Sequence, residues 1–119
     1  MQAPSDIRRI LHQRSRRHHK DLLAEVERLT TEAAALGVKR VVLFGSLTQG
    51  EPRLSSDIDL LMVWDTKLNF LERTVELYRR LQPRAALDLL VYTPEEMTYM
   101  AHTPLVKRAL MEGKTLYAA

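Results

Sequence analysis

Apolar positions in the first third of the chain fall at helical spacing. Leu22, Val26, Leu29, Ala33 and Leu36 recur every three or four residues, with Glu25, Glu27, Arg28 and Glu32 between them. That period predicts an amphipathic helix. Ile7 and Leu11 carry the same period upstream, and Ser15 and the His18-His19 pair then interrupt it. A helix is therefore expected from Asp6 to Leu36, in one or two pieces. Pro4-Ser5-Asp6 is its start signal and Gly37 its stop.

After Gly37 the pattern changes to short apolar runs. Val38 to Phe44 is rich in β-branched residues and reads as a strand ending at Gly45-Ser46. Leu47 to Ser56 holds Gly50 and Pro52, and reads as a turn of helix followed by loop. Asp57 to Trp64 (DIDLLMVW) is a second strand, apolar enough to be central in a sheet. Leu68 to Leu81 is amphipathic, with Leu71, Val75, Tyr78 and Leu81 on its expected inner face, and Pro83 ends it. Ala86 to Tyr92 is a third strand. Thr93-Pro94-Glu95-Glu96 supplies an N-cap, a proline at the first helical position and acids in the first turn. A short helix should run from there to about Ala101, and another from Pro104 to about Met111. Gly113 closes that one, and Thr115-Leu116-Tyr117 suggests a small edge strand. The order implies one small α/β domain, a mixed sheet of three or four strands flanked by helices. Residues 1–20 read as a basic N-terminal helix or arm, and 21–119 as the domain.

Composition narrows this little: 119 residues, 45% hydrophobic and 28% charged, describe an ordinary globular chain. No run approaches the ~20 apolar residues of a membrane span, and the N-terminus has no signal-like apolar core, so the cytoplasm is the expected compartment. The absence of cysteine excludes disulfides, thiolate metal sites and cysteine nucleophiles. The net charge of +3 is unevenly spread. Between Ile7 and Lys20 stand six Arg or Lys residues, three histidines and no acid. Such a run attracts phosphate or an acidic protein, or is a solvated helix face. No aromatics interleave with it, so RNA binding is weakly indicated.

Three aspartates interrupt the apolar strands. Asp57 and Asp59 are two apart, which strand alternation places on one face, and Asp88 stands inside the third strand. A single strand aspartate often caps a helix or pairs with an arginine. Three, at positions that could be adjacent, instead call for a cation between them. Hard divalent ions take oxygen ligands, and Mg²⁺ is commonly held by one or two carboxylates plus substrate phosphates. Gly45-Ser46 follows a strand and opens a helical turn, where free N–H groups, the close approach that glycine allows and the Ser46 hydroxyl suit an anion. Alone, such a pair is more often a tight turn.

Gly45-Ser46, ten residues, then Asp57-x-Asp59 resembles the signature of the DNA polymerase β-like nucleotidyltransferases. The segments VVLFGS, SSDIDLLMVW, LDLLVYTPEEM and LVKRALMEGKTLY resemble the minimal nucleotidyltransferases of bacteria and archaea, over about residues 20–117. The resemblance implies that Gly45 and Ser46 hold the triphosphate of ATP or another NTP. It implies that Asp57 and Asp59 bind two Mg²⁺ ions, and that Asp88 completes the metal site and helps activate an acceptor hydroxyl. The pattern departs after Gly-Ser: Leu47-Thr48-Gln49-Gly50 stands where relatives often have arginine and a second base. Arg53, the loop's one base, is the substitute candidate for a phosphate.

Only about 27 residues follow the third strand, so the acceptor is expected to be recognised by this small domain, by a homo-oligomer or by a partner. The same resemblance implies a small helical partner of the HEPN class, with the nucleotidyltransferase as antitoxin transferring AMP to a partner tyrosine. The alternative is an antitoxin or nucleotide-binding protein that neutralises its partner by complex formation alone. Trp64 reads as a core or rim residue, Tyr78 and Tyr99 as residues of apolar helix faces, Tyr117 as exposed and His102 as a loop residue. His18 and His19 diverge by about 100° on a helix and are poorly placed to share a metal.

Overall fold

The computed structural model describes residues 4–49 and 57–119, with side chains except at positions 4–6, 12, 14, 15, 46 and 49. Four strands, β1 (Arg40–Phe44), β2 (Ile58–Val63), β3 (Leu87–Tyr92) and β4 (Lys114–Ala118), form one sheet in the order β3-β2-β1-β4. β1 is antiparallel to both β2 and β4, whereas β2 and β3 are parallel. A parallel pair needs a crossover, and α3 (Phe70–Leu81) supplies it. The mixed sheet and flanking helices agree with the sequence-based expectation, including an edge strand near Leu116.

Alternation along the strands divides the apolar residues between two faces. Val41, Leu43, Ile58, Leu60, Met62, Leu87, Leu89 and Val91 face one core, completed by Leu22, Val26, Leu29 and Ala33 of α1 (Pro4–Ala35) and by Leu77 and Leu81 of α3. Val42, Leu61, Val63 and Tyr92 face a smaller core, closed by Val106 and Ala109 of α5 (Pro104–Glu112) with Met97 and Met100 of α4 (Pro94–Met100). All six residues of β2 are buried, as a central strand requires. Trp64 is half-buried against the larger core, and so is Tyr117, for which the sequence suggests exposure. Tyr99, expected on an apolar helix face, is instead 61% exposed.

The first helix is a single piece. Ser15 and the histidine pair interrupt the apolar stripe but not the backbone, because the Arg, Gln and Lys around them are good helix formers. α3 differs more. Leu71 and Val75, expected inside, are 71% and 55% exposed, while Arg73, Leu77 and Leu81 are buried at i, i+4 and i+8. Arg73 decides the rotation. Its guanidinium donates to the carbonyls of Leu68 and Val91 and to Glu96 at 2.5 Å, joining the start of α3, the end of β3 and the first turn of α4. A capping box between Asn69 and Glu72 fixes the start of α3, and one between Thr93 and Glu96 fixes α4.

A second arginine holds the other end of α3. Arg28 of α1 donates to the carbonyls of Leu81 and Gln82, which the helix leaves without intrahelical partners. Glu25 neutralises it at 2.6 Å and also accepts the backbone N–H of Arg84. The guanidinium beside Glu25 holds its carboxyl below the usual glutamate value of 4.5, and Arg73 does the same for Glu96.

Two outcomes are expected. Arg73→Ala should lower the unfolding free energy by about 2–4 kcal/mol in urea titrations, because Glu96 and two carbonyls lose a buried donor. A depressed folded-state pKa contributes stability that is complete above the unfolded value and lost as pH falls through the folded one. Stability should therefore decline below about pH 4.5 as Glu25 and Glu96 protonate. The double substitution E25Q/E96Q should flatten that decline while lowering stability at neutral pH.

Candidate active site

Strand register brings two of the three aspartates together. Phe44 of β1 pairs with Asp59 of β2, and Asp59 pairs in turn with Asp88 of β3. Alternation puts these positions on the face shared with Leu61, Val63 and Tyr92, where Phe44 packs against the smaller core. Asp59 is 1% exposed, whereas Asp88 is exposed. One carboxylate is thus held inside the protein wall and its neighbour faces solvent.

Gly45 follows directly on β1 and shapes this corner. Its φ is +77°, a left-handed conformation that side chains disfavour. A Cβ there would lie 2.2 Å from Oδ2 of Asp59, so the carboxylate packs against the bare glycine backbone. α2 (Ser46–Gln49) begins at once; the Thr48 hydroxyl donates to the Gly45 carbonyl at 2.6 Å, and Leu47 anchors the turn in the larger core. The Ser46 side chain and the whole of Arg53 lie outside the described residues.

Asp57 is placed differently. It stands in a bend before β2, with its N–H donated to the Ala86 carbonyl, and is half-exposed. There it lines a cleft of about 460 Å³ with His18, Asp21, Arg28 and Arg84, beneath α1. Strand alternation, which predicts Asp57 beside Asp59, does not reach it because β2 starts at Ile58. Among the described residues no three acidic or histidine side chains are already gathered around one point. The donor set is nonetheless all oxygen, the chemistry of a hard divalent cation. Asp59 and Asp88 can offer two carboxylates from adjacent strands, with triphosphate oxygens to complete the ligands.

Sequence reasoning missed the neighbours of Asp57. Arg84 lies in the loop before β3 and carries no periodic signal; its backbone is tied to Glu25 while its side chain is exposed beside the cleft. Tyr78 donates its hydroxyl to the Leu87 carbonyl, one residue before Asp88. Burial, and then the charge of Asp88, push its phenol above the usual value. A larger cleft of about 790 Å³, lined by Val26, Leu43, Leu47 and Leu116 among others, lies on the opposite face of the sheet from Asp59.

Residues 27–119 match the family profile described as polymerase beta, nucleotidyltransferase. The chain belongs to that nucleotidyltransferase family. Its fold is similar to that of a candidate nucleotidyltransferase from Sulfolobus solfataricus, known from a 1.40 Å crystal structure. The TM-score is 0.56 at 24% identity, over 71% of this nucleotidyltransferase and 78% of that chain. No curated protein matches significantly. Among the described residues no helix is long and apolar enough to cross a membrane.

Two glycine substitutions separate backbone strain from the contact with Asp59. Gly37 has φ +96°, and a methyl group there would meet nothing within 4 Å, so Gly37→Ala carries strain alone. It should cost about 1 kcal/mol without altering nucleotide binding. Gly45→Ala adds the collision with Asp59 and should cost at least about 2 kcal/mol. It should also weaken binding of a fluorescent ATP analogue; thermal melts and titrations of both variants make the comparison.

Proposed function

We propose that this nucleotidyltransferase transfers AMP from ATP to an acceptor hydroxyl, supplied by a tyrosine of a helical HEPN-class partner, and so acts as an antitoxin. The observation that carries the chemistry is the in-register pair Asp59–Asp88 beside Gly45, within a chain of the nucleotidyltransferase family. The choice of AMP, tyrosine and partner rests on the resemblance to minimal nucleotidyltransferases.

In this reading Gly45 and the free N–H groups at the start of α2 receive the triphosphate. Asp57, Asp59 and Asp88 are the residues that would hold divalent magnesium. When bound, the metal supplies charge neutralisation at the reacting phosphate and eases activation of the acceptor oxygen. The chain's own contribution is orientation. Asp59 is fixed by burial and by its contact with Gly45, whereas Asp88 faces solvent, where an acceptor hydroxyl can approach and pass on its proton. The acceptor oxygen bonds to the α-phosphorus of ATP, the bond from that phosphorus to the bridging oxygen breaks, and pyrophosphate leaves. In-line displacement needs this placement more than it needs covalent help from the protein.

The departure after Gly-Ser supports a second reading. Leu47, in the segment where relatives often carry two bases, is buried in the core and cannot serve a phosphate. A partner could then be neutralised by binding alone. Labelled ATP, Mg²⁺ and the HEPN-class partner distinguish the two. Label should appear on a partner tyrosine, and Asp59→Asn or Asp88→Asn should reduce it by about 100-fold or more. Full neutralisation of the partner by both variants, with no label in either the variants or the parent protein, would establish the binding-only reading.

A further inference from the structure

The N-terminal half of α1 touches little of its own protein. A helix of 32 residues is about 48 Å long, and the molecule measures 62 × 29 × 23 Å. Every described side chain from Ile7 to Asp21 is exposed, and Leu22 is the first buried one. The helix therefore continues well beyond the body that its second half helps to build.

The projecting half keeps the face that the second half uses for packing. Leu11 and Leu29, like Ile7 and Glu25, are eighteen residues apart, about five whole turns. Leu29 and Glu25 are buried in the body, yet Ile7, Ile10 and Leu11 are 57%, 49% and 57% exposed. Spacing of i, i+3 and i+4 is that of anchors by which a helix enters an apolar groove. Around this stripe stand Arg8, Arg9, Arg16, Arg17 and Lys20, with no acid from Ile7 to Lys20.

We propose that this projecting half of α1 docks the acceptor protein, and that the docked surface is an acidic helical face bearing an apolar groove. This rests on the transfer reading above. Charge chooses the occupant. A second copy would bring like charges together along the same stripe, which disfavours self-pairing. A nucleic acid would use the cations but leave the three apolar residues exposed, and three are too few to hold a helix in a lipid interface. An acidic protein surface satisfies both halves of the pattern. The arm also ends where it matters. His18 and Asp21, at its root, line the cleft that contains Asp57 and Arg84. A protein seated on the arm is thereby held beside the carboxylate end of the sheet.

The test uses the intact protein and a synthetic acidic amphipathic peptide of Leu and Glu heptads as probe, with calorimetry as readout. The peptide should bind saturably. I7D/L11D and R16E/R17E should each weaken it by about tenfold or more, with unchanged melting temperatures because these side chains lie outside the core. A short single-stranded RNA and phosphatidylglycerol vesicles are tested in parallel. Absence of peptide binding overturns the assignment. So does RNA binding that R16E/R17E abolishes and I7D/L11D leaves intact, or vesicle binding stronger than peptide binding. Asp59→Asn separates this surface from the chemistry. Peptide binding that persists in Asp59→Asn, in a protein whose parent transfers no nucleotide, supports the docking surface and tells against the transfer reading alone. Transfer to a partner at the parental rate by I7D/L11D overturns the docking surface alone.

Discussion

A slip of one residue between β2 and its neighbours would turn Asp59 into the aliphatic core and push Leu60 out to the opposite face. Strand side chains alternate, so register is an all-or-none decision wherever both faces are used. Here both are: Ile58, Leu60 and Met62 pack toward α1 and α3, and Leu61 and Val63 toward α4 and α5. The alignment Phe44–Asp59–Asp88 is therefore fixed by apolar burial on either side of it. A carboxylate that is 1% exposed is costly to hold, and at this corner the protein does so without a competing choice of register. The left-handed Gly45 belongs to the same constraint, since any side chain there would occupy the space Asp59 needs.

Two arginines, Arg73 buried and Arg28 partly so, serve that register from a distance. β3 reaches β2 only through the crossover of α3, and each end of α3 is tied by a guanidinium. Arg73 binds the start of α3 to the end of β3 and to α4, while Arg28 binds its end to α1. Each is paired with a glutamate and also donates to backbone carbonyls, the arrangement in which a buried charge is tolerated. Glu25 extends one of these ties to the Arg84 backbone, in the loop that leads into the strand of Asp88. The position of Asp88 thus depends on an ion pair made on the far side of the sheet.

Much of this was legible in the residues. Period-two and helical patterns located the elements, and Thr93-Pro94-Glu95-Glu96 marked the start of α4 because capping is local chemistry. Gly45 and Asp59 were recognisable together, for a glycine after a strand and a carboxylate within one are both unusual where they stand. The inner face of α3 was not legible. Counting apolar residues put Leu71 and Val75 inside, but Arg73 occupies the interior, since its long stem packs while its head finds carbonyls and Glu96. A charged residue whose partners lie 18 and 23 positions away leaves no trace in a local pattern. The setting of Asp57 was not legible for a related reason: alternation describes residues inside a strand, and this one precedes β2.

The two faces of the sheet divide the work unevenly, and the division bears on where the proposed protein acceptor would come from. The face toward α1 and α3 holds the larger core, with its broad cleft running between α1 and β4 to Leu43, Leu47 and Thr48. The other face holds the smaller core: α5 and α4 close over Val42, Leu61, Val63 and Tyr92, and Phe44, the register partner of Asp59, packs against them. Asp88 is the carboxylate that this face leaves exposed. Under the proposed transfer to a protein acceptor, specificity would be drawn from elements around the rim. The rim on the Asp57 side is built by α1, through His18 and Asp21, and α1 is the element that extends furthest from the body. On the proposed docking, stability and recognition share one helix: its second half is buried against the sheet, and its first half carries the same face outward, exposed.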